Sequence, residues 1–145
     1  MSRNITFREA INEALYSQMK KNKRIINFGV ETNMFGSNYK LEKFGKSRFF
    51  ICPLSEDMLT GFALGYAING GFSVLNHARP DFLLLGMNQL INMISTYSFS
   101  TNNKKGAGIL IRAVIGRSWG QGFQHSKSMQ SIFSHIPGIH VIMPT

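Results

Sequence analysis

The chain has 145 residues, a net charge of +9 and 43% hydrophobic residues. That is enough length and apolar content for one domain with its own core, and it excludes a disordered chain. Among function classes, composition and motif spacing argue against a membrane-spanning protein, because no apolar run is long enough, and against a metal centre, because four histidines and one cysteine fall at no ligand spacing. The basic charge sits largely in "KKNKR" at 20–24 and at Lys104–Lys105, positions where lysine is solvated. No zinc-finger or RNA-binding signature accompanies it, so no nucleic-acid partner is expected. Cys52 is the only cysteine, and "MSRNITFREA" is polar where a secretory signal is apolar. A cytoplasmic home is the expectation.

Along the chain, "TFRE" predicts a capping box, with Thr6 as N-cap and Glu9 three positions on. A helix follows to about residue 20, with Phe7, Ala10, Ile11, Ala14, Leu15 and Met19 on one face. "RIINFGV" predicts a buried strand. Gly36, Ser37 and Asn38 predict a loop, and "KLEKFG" a short helical turn. "RFFIC" is the second strand, stopped by Pro53. Ser55 is expected to cap a helix running to Asn69, which ends at Gly70–Gly71. Gly61, Ala63, Gly65 and Ala67 thin that helix, as if another backbone had to come close. "FSVLN" is a third strand. "PDFLLLGMNQLINMISTYSF" predicts one long helix, with Pro80 in its first turn, apolar nearly all round and therefore buried. "GILIRAV" is a fourth strand, "IGRSWGQGFQHS" a glycine-rich loop, "KSMQSIFSHI" a helix and "HVIMP" a final strand.

This alternation predicts an α/β fold, a parallel sheet with helices on both faces, as a single domain over residues 1–145. The chain stops straight after a strand, at Thr145, as a domain cut from something longer would. In open parallel sheets ligands bind beyond the carboxyl ends of the strands. The residues hardest to explain as packing fall there. Glu56 and Asp57 follow strand two. His77, Arg79 and Asp81 follow strand three. Arg117, Trp119, Gln121, Gln124 and His125 follow strand four. Each also has a structural reading: the acids as complements to the helix dipole, Arg79 as a cap on strand carbonyls, Phe82 as core, His125 as a solvated loop residue. Gly116, Gly120 and Gly122 match no phosphate-binding fingerprint. The residues alone therefore give an α/β domain with a candidate site and no named reaction.

Five segments, "ITFREAINEAL", "EKFGKSRFF", "PLSEDMLTGFALGYAINGG", "DFLLLGMNQLIN" and "QHSKSMQSIFSHIPGIHVIMP", together resemble the β subunit of thiamine-diphosphate-dependent 2-oxoacid dehydrogenases, the E1 component of pyruvate and branched-chain complexes. "HARPDF" with "IGRSWGQGFQHS" is similar to a subgroup of such proteins. The resemblance implies a transketolase-like, pyrimidine-binding fold. It implies that Glu56, rather than Asp57, contacts the aminopyrimidine of thiamine diphosphate, favouring the tautomer that takes the proton from the thiazolium carbon, after which the cofactor attacks a 2-oxoacid carbonyl. A poorly solvated carboxylate suits such proton sharing, since desolvation disfavours its charged form. The resemblance places Phe82 on the pyrimidine ring and His125 near the reacting carbon. Arg79 belongs to the subgroup pattern and is a candidate for the substrate carboxylate, which a guanidinium fits bidentately. Lys127, Asn88 and Val30 depart from the family pattern, with consequences for substrate and subunit contacts. The family holds the diphosphate and Mg²⁺ through a Gly-Asp-Gly motif. This chain has no Gly-Asp pair, so the resemblance implies an E1 α subunit that supplies that half, and a lipoyl E2 component that accepts the acyl group. The family's β-type C-terminal domain is absent from the 145 residues. Two other readings stay open: a non-catalytic interaction or regulatory domain, and part of another thiamine enzyme such as a transketolase or a deoxyxylulose-phosphate synthase.

Overall fold

The computed structural model describes residues 3–30, 32, 41–116 and 119–144. The expectations for the 36–38 loop and for Arg117 lie outside these.

Helix α1 (Phe7–Lys21) opens on the expected capping box. The Glu9 amide donates to Thr6 Oγ1 at 3.2 Å, and the Thr6 amide donates to a Glu9 carboxylate oxygen at 2.8 Å. Four strands follow: β1 (Ile25–Gly29), β2 (Phe49–Ile51), β3 (Phe72–His77) and β4 (Ile109–Ala113). They form one parallel sheet in the order β2-β1-β3-β4. Alternate residues face opposite sides. Ile25, Phe49 and Val74 pack against Leu15 and Met19 of α1. Ile26, Phe28 and Leu75 pack against Leu59 and Ala63 of helix α2 (Glu56–Ile68). Helices therefore cover both faces, as the alternation predicts. A third cluster, Leu83, Leu90, Phe133 and Ile136, extends the α2 side towards β4.

Several expectations change. The helical path over 80–100 is not one regular buried helix. It begins as α3 (Pro80–Leu83), tightens to a 3₁₀ turn (Leu84–Gly86), widens to a π-helix (Gln89–Ile94) and ends as α4 (Tyr97–Ser100). Each change of pitch rotates the apolar stripe. Only one side meets the core, so Leu85, Ile91, Met93 and Phe99 are exposed, Phe99 at 93%. Ser55 occupies the N-cap of α2, but its side chain makes no cap hydrogen bond. The last helix is short, α5 (Gln130–Ser134). "HVIMP" forms no strand. The Pro137–Gly138 turn is tucked against Ser95, where a Cβ on Gly138 would lie 2.5 Å from the Ser95 carbonyl oxygen. Residues 139–143, Ile94 and Ser98 line a cleft of about 590 Å³ next to β4, and no fifth strand forms among the described residues.

Candidate functional site

All strands are parallel, so their carboxyl ends share one edge. The chain reverses its direction of winding between β1 and β3, the switch point where ligands of such sheets sit. Gly29 ends β1 with φ +134°, and a Cβ there would lie 2.1 Å from the Asn76 carbonyl oxygen, so only glycine fits between the two strands.

Glu56 is the first residue of α2 and is half-buried; Asp57 is exposed. Among the described residues the Glu56 carboxylate makes no hydrogen bond or ion pair. Its backbone is fixed instead. Thr60 Oγ1 donates to the Glu56 carbonyl at 2.7 Å. A Cβ on Gly86 would lie 2.6 Å from Thr60 Oγ1 and 3.4 Å from the Glu56 carbonyl oxygen. The bare backbone of Gly86 therefore lets the turn after Phe82 press against the first turn of α2. This close approach is the one the small residues of α2 were expected to serve. Within the described residues Gly65 meets nothing, and Gly61 meets only the Gln89 side chain.

Phe82 is half-buried on α3 and meets His125 edge-on, with ring centroids 5.1 Å apart. His125 lies in a 3₁₀ turn, Phe123–His125, and its Nδ1 is buried without a partner among the described residues. Arg79 is 6% exposed. Its Nη1 donates to the Ala78 carbonyl at 2.6 Å, and its Nε and Nη2 both donate to Gln121 Oε1, at 2.9 and 2.5 Å. Trp119 lies over the guanidinium at 4.6 Å. A Cβ on Gly116 would touch Trp119, Arg79 and the His125 carbonyl, so this glycine admits the close packing of all three. The Asp81 side chain is buried, with Lys127 Nζ 3.8 Å from its carboxylate. Arg79, Phe82 and His125 are thus gathered by direct or shared contacts, and Glu56 joins the same edge through Gly86.

Sequence reasoning placed His77 after strand three, but it is the last residue of β3 and is buried, and the polar cluster around Asn76 was not foreseen. His77 is 1% exposed, neither ring nitrogen has a partner among the described residues, and burial pushes its pKa down to about 4. On the opposite face of the sheet, Asn76 Nδ2 donates to Asn27 Oδ1 at 2.5 Å and to the Phe28 carbonyl at 3.0 Å, and Arg112 Nη1 reaches Asn76 Oδ1 at 3.4 Å. Desolvation lowers the pKa of Arg112. Polar residues at core positions of strands were the available signal for both. The 590 Å³ cleft takes in none of Glu56, Arg79, Phe82 and His125. Its lining is largely apolar, which fits an uncovered sheet edge better than chemistry.

Among the described residues no group of three or more His, Cys, Asp or Glu side chains could hold a metal ion, and no helix is long and apolar enough to cross a membrane. The family described as "Transketolase, pyrimidine binding domain" matches residues 3–145. The chain is 32% identical to the 2-oxoisovalerate dehydrogenase subunit beta 2, mitochondrial, of Arabidopsis thaliana, over 93% of this chain and 39% of that protein. It is 27% identical to the pyruvate dehydrogenase E1 component subunit beta, mitochondrial, of Ascaris suum, over 97% of this chain and 40% of that protein. It is also 27% identical to the 2-oxoisovalerate dehydrogenase subunit beta of Bacillus subtilis, over 97% of this chain and 45% of that protein. The chain therefore spans less than half the length of these relatives.

Proposed function

Because the chain belongs to the transketolase pyrimidine-binding domain family, we propose that it is the pyrimidine-side part of a thiamine-diphosphate-dependent 2-oxoacid dehydrogenase E1 β chain, completed by an α partner. The observation that carries this reading is the placement of Glu56, Phe82 and His125 at one sheet edge, with the Glu56 carboxylate and His125 Nδ1 both unpartnered among the described residues. An acceptor carboxylate, an apolar ring and an imidazole fit the aminopyrimidine end of thiamine diphosphate. The diphosphate end is not matched here, since the chain has no Gly-Asp pair. We assign that end, and Mg²⁺, to the partner.

The bound cofactor supplies the carbanion chemistry on a 2-oxoacid. Glu56, its backbone held by Thr60 and Gly86, would hold the ring nitrogen of the pyrimidine through a shared proton. Phe82 packs on the ring and excludes water from it. His125, braced edge-on by Phe82, faces the substrate and handles its proton or acyl group. Arg79 binds the substrate carboxylate. Acyl transfer to a lipoyl E2 component follows in this reading. The names of the relatives support oxidative decarboxylation over the ketol transfer of transketolases and deoxyxylulose-phosphate synthases. A cytoplasmic location is part of this reading by default, since a single cysteine gives no disulfide framework that would point to secretion.

The test is reconstitution with a co-purifying chain that carries the Gly-Asp-Gly motif, followed by 2-oxoacid-dependent reduction of an artificial electron acceptor. The Glu56→Gln assembly should lose about 10²–10⁴-fold in turnover with an unchanged melting temperature. Near-wild-type turnover in that variant would remove Glu56 from the site. A stable chain that captures no such partner, and binds other proteins equally well after Glu56→Ala, would favour a regulatory domain instead.

A further inference from the structure

Among the described residues, Arg79 is a buried cation held by neutral groups: one carboxamide oxygen, one backbone carbonyl and the face of Trp119. No carboxylate among the described residues pairs with it. A desolvated guanidinium without a counter-charge is an unfavourable arrangement unless an anion completes it. The Gln121 oxygen sits on the Nε/Nη2 edge, a single atom accepting both bonds. That edge of the fork is matched by the two oxygens of a carboxylate. Gln121 itself is exposed. It stands between Gly120 and Gly122, with φ of +69° and +75°, and nothing lies within 4 Å of where a Cβ would be on either. Glycine tolerates this backbone without strain, and the open space lets the segment swing.

The geometry points to Gln121 as an exchangeable neutral stand-in for the carboxylate of a small 2-oxoacid: the substrate displaces the Gln121 amide and takes both bonds of the Arg79 fork. This inference rests on the 2-oxoacid reading above and deepens it. Gln121 sets how readily the site accepts substrate, and the Arg79 charge rejects carbonyl compounds that lack a carboxylate. Trp119, stacked on the guanidinium and tied to Gln121 by one residue, reports the exchange.

Trp119 is the only tryptophan of the chain. The experiment follows its emission in the cofactor-free assembly of this chain with its partner, with the Trp119→Phe assembly as background. Pyruvate is titrated against its uncharged ester, methyl pyruvate. A saturable change with pyruvate and none with the ester is expected. Gln121→Ala should lower the pyruvate midpoint several-fold. Gln121→Glu places a tethered carboxylate on the fork and should raise the midpoint at least about tenfold, a loss of about 1.4 kcal/mol. Arg79→Lys should abolish the response while the melting temperature shows a folded assembly. Equal midpoints for the two Gln121 variants, or an equal response to the ester, would overturn the inference. If pyruvate produces no change while the assembly still turns over 2-oxoacids, Gln121 exchange is wrong and the function stands. If the variants shift the midpoint in the expected order but no 2-oxoacid is turned over, the carboxylate subsite stands and the assigned reaction falls.

Discussion

His77 is the residue whose energetics are clearest. A histidine with both ring nitrogens buried and unpartnered is held neutral, its pKa near 4 instead of the usual 6.5. The unfolded chain takes up a proton as pH falls through 6.5, whereas the folded chain does not until about 4. Stability is therefore fully present above 6.5 and is lost progressively down to about 4, by an amount on the order of 3 kcal/mol. His77→Leu removes the titrating group and two orphaned polar atoms together. In melts across pH 4–7 the variant should lose less stability than wild type, and its advantage should grow as pH falls. Parallel pH profiles would show that His77 gains a partner in solution.

At the scale of elements, the contact between α2 and the 80–100 stretch decides where Glu56 sits. Gly86 is the tight point, since a side chain there would collide with Thr60 Oγ1, which is already bonded to the Glu56 carbonyl. Gly86→Ala should lower stability by about 1–3 kcal/mol, as overpacking does, and should tilt the first turn of α2, so that turnover falls further than the melt alone explains. Gly65→Ala is the contrast. Its Cβ meets nothing within 4 Å, so helix propensity alone applies and the chain should gain up to about 1 kcal/mol. Thermal melts of the two variants check both signs. A gain at Gly86 would mean that the turn relaxes freely.

The whole molecule is a sheet packed on both faces and open along its β4 edge among the described residues, and Leu85, Ile91, Met93 and Phe99 are exposed. Contiguous apolar surface and open strand edges favour association. Alone, the chain should self-associate at micromolar concentration in sedimentation velocity, and its partner should suppress this. A monomer at high concentration would show that these residues are covered by the 139–144 segment in solution.

By itself the sequence determined whatever depends on neighbours along the chain. Thr6 and Glu9 are three apart, so their capping box follows from helix geometry. Alternating strands and helices of these lengths leave little but a parallel α/β layer, and the positions of Glu56, Arg79 and His125 in the segments that follow strands come from that. Only the tertiary structure decided contacts between distant segments. Arg79 meets Gln121 across 42 positions, Asp81 meets Lys127, and Gly86 rather than Gly65 carries the close approach, because packing between layers has no signature in local spacing. The fate of "HVIMP" belongs to the same class: its composition is that of a strand, but a strand forms only against a partner, and here these residues and β4 line a cleft instead of pairing.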